Sequence, residues 1–185
     1  MKSLRLWVKR RQKMRLFTAL CFDDGTKKAL FDAEKAAESA SEGSFTLFEN
    51  FHLTLVYIGE TERAEEIKTA LEEIEFPAFE YKISGSGTFE KKIFWAGTEE
   101  NEKLFLLQKL VFEKLKKLGF ELDEREFVPH ITIAKKFSPK ENFCPEETER
   151  LLPKKAVSAN RISLMKSERI DDVLQYTEIY SRNLI

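Results

Sequence analysis

One short amphipathic pattern occurs twice in this chain and limits what it can fold into. Phe51-His52-Leu53-Thr54-Leu55 is echoed by Pro129-His130-Ile131-Thr132-Ile133, and the chain's two histidines both fall in it. In a strand, side chains two apart share a face, so His52 and Thr54 point one way while Leu53 and Leu55 point the other. His130 and Thr132 separate from Ile131 and Ile133 by the same rule. The apolar face of such a strand seeks the core, which leaves each His–Thr pair facing solvent or a cleft.

A single His-x-Thr triplet arises easily by chance, and a lone histidine on a strand is usually packing. Two copies that use every histidine of the chain point instead to a site. Two imidazoles supply a proton donor and a proton acceptor near neutral pH, and two threonine hydroxyls can donate to phosphate oxygens without adding charge. The residues therefore suit a phosphoryl group, with unperturbed imidazoles (about 6.5) setting a pH optimum near neutrality. Lys135, Lys136 and Arg125 are candidates to steer an anion, although charges near strand ends are commonly just solvated. Phe17, Tyr57 and Phe137 are candidate platforms for a base, although with 16 phenylalanines core packing is the default. No Asp/Glu pair stands beside either motif, and two histidines alone make a poor zinc site, so no metal or cofactor is expected.

Along the chain, residues 14–22 read as a strand ending at Asp23-Asp24-Gly25. Residues 26–41 read as a helix closed by Gly43, and Thr61 as the cap of a helix over 62–74 with Ala64, Ile67, Leu71 and Ile74 on one stripe. Residues 79–97 look like a hairpin turning at Lys91-Lys92. Within it Ser84-Gly85-Ser86-Gly87 lacks the Lys-Ser/Thr ending of a phosphate-cradling loop and reads as a bulge or close backbone approach. The strongest helix spans 101–118, with Leu104, Leu107, Leu110, Val111, Leu115 and Leu118 on one face and Gly119 behind it. A short helix over 145–152, opened by Pro145 and stopped by Pro153, precedes strands over 157–165 and 173–180. Strands and helices are mixed in both halves, each half carrying one His–Thr strand, so the class is α+β.

At 42% hydrophobic and 34% charged residues the composition is that of a soluble globular domain. No run of about 18 apolar residues is present, so no membrane span is expected. Cys21 and Cys144 stand alone, without disulfide or zinc spacing, which fits a reducing cytoplasm, and Cys21 reads as strand filler. Residues 1–13 are basic and unlike the rest. They read as an extension, disordered or from an upstream start, ahead of a single domain over 14–185. The body beyond them is net acidic, which argues against a broad nucleic-acid footprint and leaves room only for a small active-site patch.

The duplicated motif resembles the signature of the two-histidine (2H) phosphoesterase superfamily. The surrounding residues look most like its RNA 2',3'-cyclic phosphodiesterases, once called 2'-5' RNA ligases. The likeness runs from Met14-Arg15-Leu16-Phe17 through Asn50 to Leu55, Gly59-Glu60 and Gly87-Thr88-Phe89. It continues over Phe127 to Lys135 and 157–167, and ends at Tyr176-Thr177. It implies two pseudo-symmetric lobes with antiparallel-rich sheets facing a central cleft and helices outside. It further implies metal-independent hydrolysis of RNA 2',3'-cyclic ends to a 2'-phosphate, with His52 as proton donor, His130 as proton acceptor, and Thr54 and Thr132 on the phosphate. Reverse 2'-5' ligation would be a side of the same chemistry, the partner an RNA end, and a monomer is expected. The alternatives are another 2H enzyme acting on a nucleotide or oligonucleotide, or a nucleotide-binding module without turnover. One departure stands out: the subfamily usually has arginine where this chain has Lys135, followed by Lys136, which turns a bidentate phosphate contact into a point charge.

Overall fold

The computed structural model describes residues 12–185. Its strands are β1 (Met14–Cys21), β2 (Ser41–Phe45), β3 (His52–Thr61), β4 (Phe79–Tyr81), β5 (Ile83–Phe89), β6 (Ile93–Thr98), β7 (Ile131–Pro139), β8 (Val157–Ala159), β9 (Arg161–Ile170) and β10 (Val173–Asn183). The helices are α1 (Asp24–Ser39), α2 (Ala64–Glu72), α3 (Glu102–Lys117) and α4 (Pro145–Leu151). Two four-stranded sheets form, in the orders β10-β9-β1-β3 and β2-β7-β6-β5, and every pairing is antiparallel. A two-stranded sheet pairs β4 with β8.

The apolar face of each motif strand goes inward. Leu53, Ile131 and Ile133 are fully buried, each contributing on the order of 1.5–3 kcal/mol of transfer free energy. α1 starts where Asp23 Oδ1 accepts the Thr26 N–H at 2.7 Å, a bond that also holds the Asp23 carboxyl below its ordinary range. α3 is capped the same way by Asn101, buries Leu104, Leu107, Val111 and Leu115, and is followed by Gly119 at φ +80°. Leu110 and Leu118, expected on that face, are half-buried and pack at its margin.

Several boundaries differ from expectation. α1 ends at Ser39 rather than at Gly43, because residues 41–45 form β2. That strand is the polar sequence Ser-Glu-Gly-Ser-Phe, and at Gly43 a Cβ would stand 2.9 Å from the Lys135 carbonyl oxygen of β7. Thr61 sits ahead of α2 and accepts the Arg63 N–H at 3.0 Å, so the helix starts later than expected and is shorter. The 79–97 segment is not one hairpin: β4 leaves for β8, and only β5 pairs with β6. The strand expected over 157–165 divides at Asn160 into β8 and β9. Gly85 has φ +70° beside the register shift between Ile83 and Ser86, as a bulge requires. The basic extension falls mostly on residues 1–11, outside the described residues; Gln12 and Lys13 have no regular structure.

The lobes are not the two halves of the chain. One sheet takes β1 and β3 together with β9 and β10, while the other takes β2 together with β5, β6 and β7. α1 packs on α4, and α3 lies against α2 and β3. Glu34, on the inner face of α1, is 1% exposed and its Oε2 has no partner among the described residues. Burial pushes its carboxyl up to about 7, against the opposing charge of Lys35 at 3.9 Å. Among the described residues no helix is long and apolar enough to cross a membrane.

Candidate active site

The facing sides of the two sheets enclose a cavity of about 580 Å³, a size suited to a small ligand. Along β3 the register slips twice against β1, near Tyr57 and near Leu55, so Leu55 and Val56 are both buried. This shift breaks strict alternation and brings Tyr57 onto the cavity side with His52 and Thr54. Their partners across β1 are Phe17, Ala19 and Cys21. Phe17, Ala19 and Met165 form a small apolar cluster under the cavity, joined by Cys21 and Tyr176. Cys21 is therefore floor packing, and burial pushes its thiol up.

Both histidines are fixed by the same device. His52 Nδ1 lies 2.6 Å from the Asn50 carbonyl and His130 Nδ1 lies 2.8 Å from the Val128 carbonyl. A carbonyl only accepts, so each Nδ1 carries the proton and each Nε2 is left for chemistry. His52 Nε2 is 3.0 Å from Thr54 Oγ1. Asn50 is itself clamped to β10: its Nδ2 donates to the Leu174 carbonyl at 2.8 Å and its Oδ1 accepts the Tyr176 N–H at 3.1 Å. Phe17 and Tyr176 flank the His52 ring at 4.8 and 5.1 Å between centroids. Burial among these rings drives the His52 pKa down to about 4, with the Lys135 and His130 charges adding to the effect and the Asn50 bond opposing it. His130 is lowered too, by desolvation, with its bond to Val128 opposing. The charge on His130 is felt at His52, although His130 itself, just ahead of β7, is not among the residues lining the cavity.

From the other sheet, Thr132 reaches the same cavity, and its backbone is held by Thr46, whose hydroxyl donates to the Thr132 carbonyl at 2.9 Å. Lys135 and Lys136 both line the cavity, although neighbours on a strand normally point apart; Lys136 has φ +51°, which turns its side chain back. Arg169 of β9 adds a third cation, and among the described residues no carboxylate lines the cavity. In a chain of net charge −1 this local excess favours an anion.

Two candidates are corrected. Phe137 is 5% exposed and stacks on Phe94 at 4.8 Å in the core, since it follows the αL turn at Lys136 and points inward. Arg125 lies outside the cavity, in an exposed loop, where its guanidinium is tied to Asp123. Sequence reasoning named Asn50 and Tyr176 only within the resemblance, and it missed Thr46 and Arg169 as cavity residues. Among the described residues no group of three or more His, Cys, Asp or Glu side chains could hold a metal ion.

Two antiparallel sheets, one bringing His52 and Thr54 and the other Thr132 to an anion-favouring cleft, are the architecture in which the comparisons with known proteins place this chain. Residues 34–171 match the family described as the 2'-5' RNA ligase superfamily, and the chain belongs to that superfamily. Proteins named RNA 2',3'-cyclic phosphodiesterase are among its relatives. One from Archaeoglobus fulgidus is 34% identical over 128 residues, 66% of this chain and 72% of the relative. Another from Thermotoga maritima is 30% identical over 149 residues, 75% and 76% of the two chains. The fold matches E. coli LigT in its apo form with a TM-score of 0.80 at 20% identity, over 94% of this chain and 98% of that one.

Proposed function

We propose that the protein hydrolyses RNA 2',3'-cyclic phosphate ends to 2'-phosphomonoesters, with His52 as general acid and His130 as general base. The observation that carries this is a cavity lined by His52, Thr54, Thr132 and three cations, with a second imidazole, His130, anchored through Nδ1 in the same way immediately before β7 and electrostatically felt at His52. Its support from relatives is the shared name of the Archaeoglobus and Thermotoga proteins.

In-line displacement places the attacking and leaving oxygens on opposite sides of phosphorus, so one side chain cannot serve both. His130 Nε2 takes a proton from water as the water oxygen bonds to phosphorus. The P–O3' bond breaks, and His52 Nε2 gives its proton to O3', leaving a 3'-hydroxyl and a 2'-phosphate. Thr54 and Thr132 donate to the non-bridging oxygens, and Lys135 and Lys136 balance the growing charge. Phe17 floors the cavity under His52, and Tyr57, 55% exposed, offers a ring at its mouth to the terminal base. A 5'-hydroxyl of a second RNA in place of water would give a 2'-5' linkage by the same proton transfers. The protein acts as a monomer with no cofactor.

The test is an assay on a short RNA ending in 2',3'-cyclic phosphate. Removing either histidine should cost about 10²–10⁴-fold, the usual worth of a positioned acid or base. An analogue whose leaving group is already a good anion should rescue His52→Ala and leave His130→Ala slow. Equal rescue of both, or a 3'-phosphate product, refutes the assignment.

A further inference from the structure

Beyond Thr132, on β6 and β5, the second sheet carries an aromatic surface to which the reaction above assigns no role. Trp95 of β6 stands directly across from Thr132 on one side and Gly87 of β5 on the other. Its indole lies flat on the sheet because glycines clear the floor: a Cβ at Gly87 would fall 2.4 Å from the ring and one at Gly97 3.1 Å from it. Phe89 continues the surface at 5.1 Å and 34° from the indole, and reaches the edge of the His130 ring at 4.8 Å. Both rings are half-exposed, and neither lines the cavity beside His52.

The indole has given up its polar handle. Its Nε1 is buried without a hydrogen-bond partner among the described residues, a loss proteins rarely tolerate at a half-exposed site without return. What this orientation secures is a half-exposed indole laid along the sheet, its centroid 6.3 Å from that of the His130 ring. The nearby turn, Glu90-Lys91-Lys92, is basic by one charge, and neither its lysines nor Lys135 and Lys136 form an ion pair among the described residues. Flat aromatic faces beside free lysines are how proteins hold single-stranded nucleic acid without reading its sequence.

Resting on the function proposed above, we infer that Trp95 and Phe89 form a second base platform, which stacks the penultimate nucleotide of the RNA while its cyclic-phosphate end occupies the cavity. The preferred substrate class is then an oligoribonucleotide rather than a mononucleotide. The platform is indifferent to base identity, since every base has a π face.

The experiment compares kcat/KM on adenosine 2',3'-cyclic phosphate, on the dinucleotide ApA ending in 2',3'-cyclic phosphate, and on that dinucleotide with its first base removed. The wild-type protein should favour the intact dinucleotide over the mononucleotide by about tenfold or more, the usual worth of one stacked base. The abasic dinucleotide should lose most of that preference. Trp95→Leu and, as an independent variant, Phe89→Leu should each collapse the dinucleotide-to-mononucleotide ratio towards one. Because the ratio is read, any loss common to both substrates through His130 cancels. A wild-type ratio near one, an abasic dinucleotide as good as the intact one, or variants that slow both substrates equally would overturn the platform while the phosphodiesterase reading stands. Failure to hydrolyse any of the three would overturn both.

Discussion

A phosphate entering the cleft should move the titration of His52 by two pH units or more. In the free protein its pKa is driven down to about 4, against 6.5 for an ordinary imidazole, so charging it in place costs about 3 kcal/mol. A phosphate anion about 4 Å away at an effective dielectric of about 20 returns on the order of 4 kcal/mol. The bound phosphate therefore offsets the whole cost and brings His52 to about 6.5 or above. Ring-proton NMR measures this directly, because the chain has only two histidines. In the free protein His52 should titrate near 4 and His130 below its ordinary value; saturation with a 2'-phosphate nucleotide should raise His52 by roughly two units or more. The kinetics follow. The ratio kcat/KM reports the free enzyme, so both limbs of its bell should lie below about 6.5, with a tenfold fall per unit above the higher limb. The optimum near neutrality expected from unperturbed imidazoles then belongs to kcat alone. A His52 that titrates at 6.5 in the free protein, or that phosphate leaves unmoved, refutes the reasoning.

Thr54→Val and Thr132→Val keep the β-branched shape and remove one donor to the phosphate, which should cost about 1.5–3 kcal/mol, or roughly ten- to a hundredfold in kcat/KM. Wild-type kinetics in both would mean the hydroxyls play no part. Activity should survive exhaustive chelation, since hydroxyl and imidazole donors supply the charge stabilisation; loss with EDTA and recovery with zinc or magnesium would contradict this. Glu34 has its folded pKa raised from 4.5 to about 7, so the ionisation penalty of its burial is absent below pH 4.5, and stability falls as pH rises from there through 7. Denaturant titrations should show a loss of up to about 3 kcal/mol between pH 4.5 and 8 that Glu34→Gln removes; parallel profiles for the two proteins would exclude it.

The two His–Thr strands and α3 were legible because their signals are local: a period of two, a period of 3.6, and caps within one turn. β2 was not, because Ser41–Phe45 has no apolar alternation and owes its strand to pairing with β7. Phe17 and Phe137 read alike in sequence. What parts them is the turn at Lys136, whose positive φ carries Phe137 into the core while both lysines stay on the cleft. Asn50 is held by Leu174 and Tyr176 of β10, and Arg169 stands on β9, both elements distant in sequence from the motif strand they meet, which no local pattern reveals. The register slip in β3 put Tyr57 beside Thr54 through the same kind of long-range constraint, its pairing with β1.

The interleaving of the two sheets bears on how the protein comes to be active. β1 lies between β3 and β9, so Arg15 pairs with Ser167, and the Asn50 clamp that orients His52 closes on Leu174 and Tyr176 of β10. A nascent chain that has emerged only as far as β7 already contains both histidines and both threonines, yet one sheet lacks half its strands and His52 lacks its anchored carbonyl. With His52 in its proposed role, catalysis is expected to wait for β9 and β10 to leave the ribosome. Closing such distant pairs is slow relative to local helix formation. On that role, fold and reactivity arrive in the same late step.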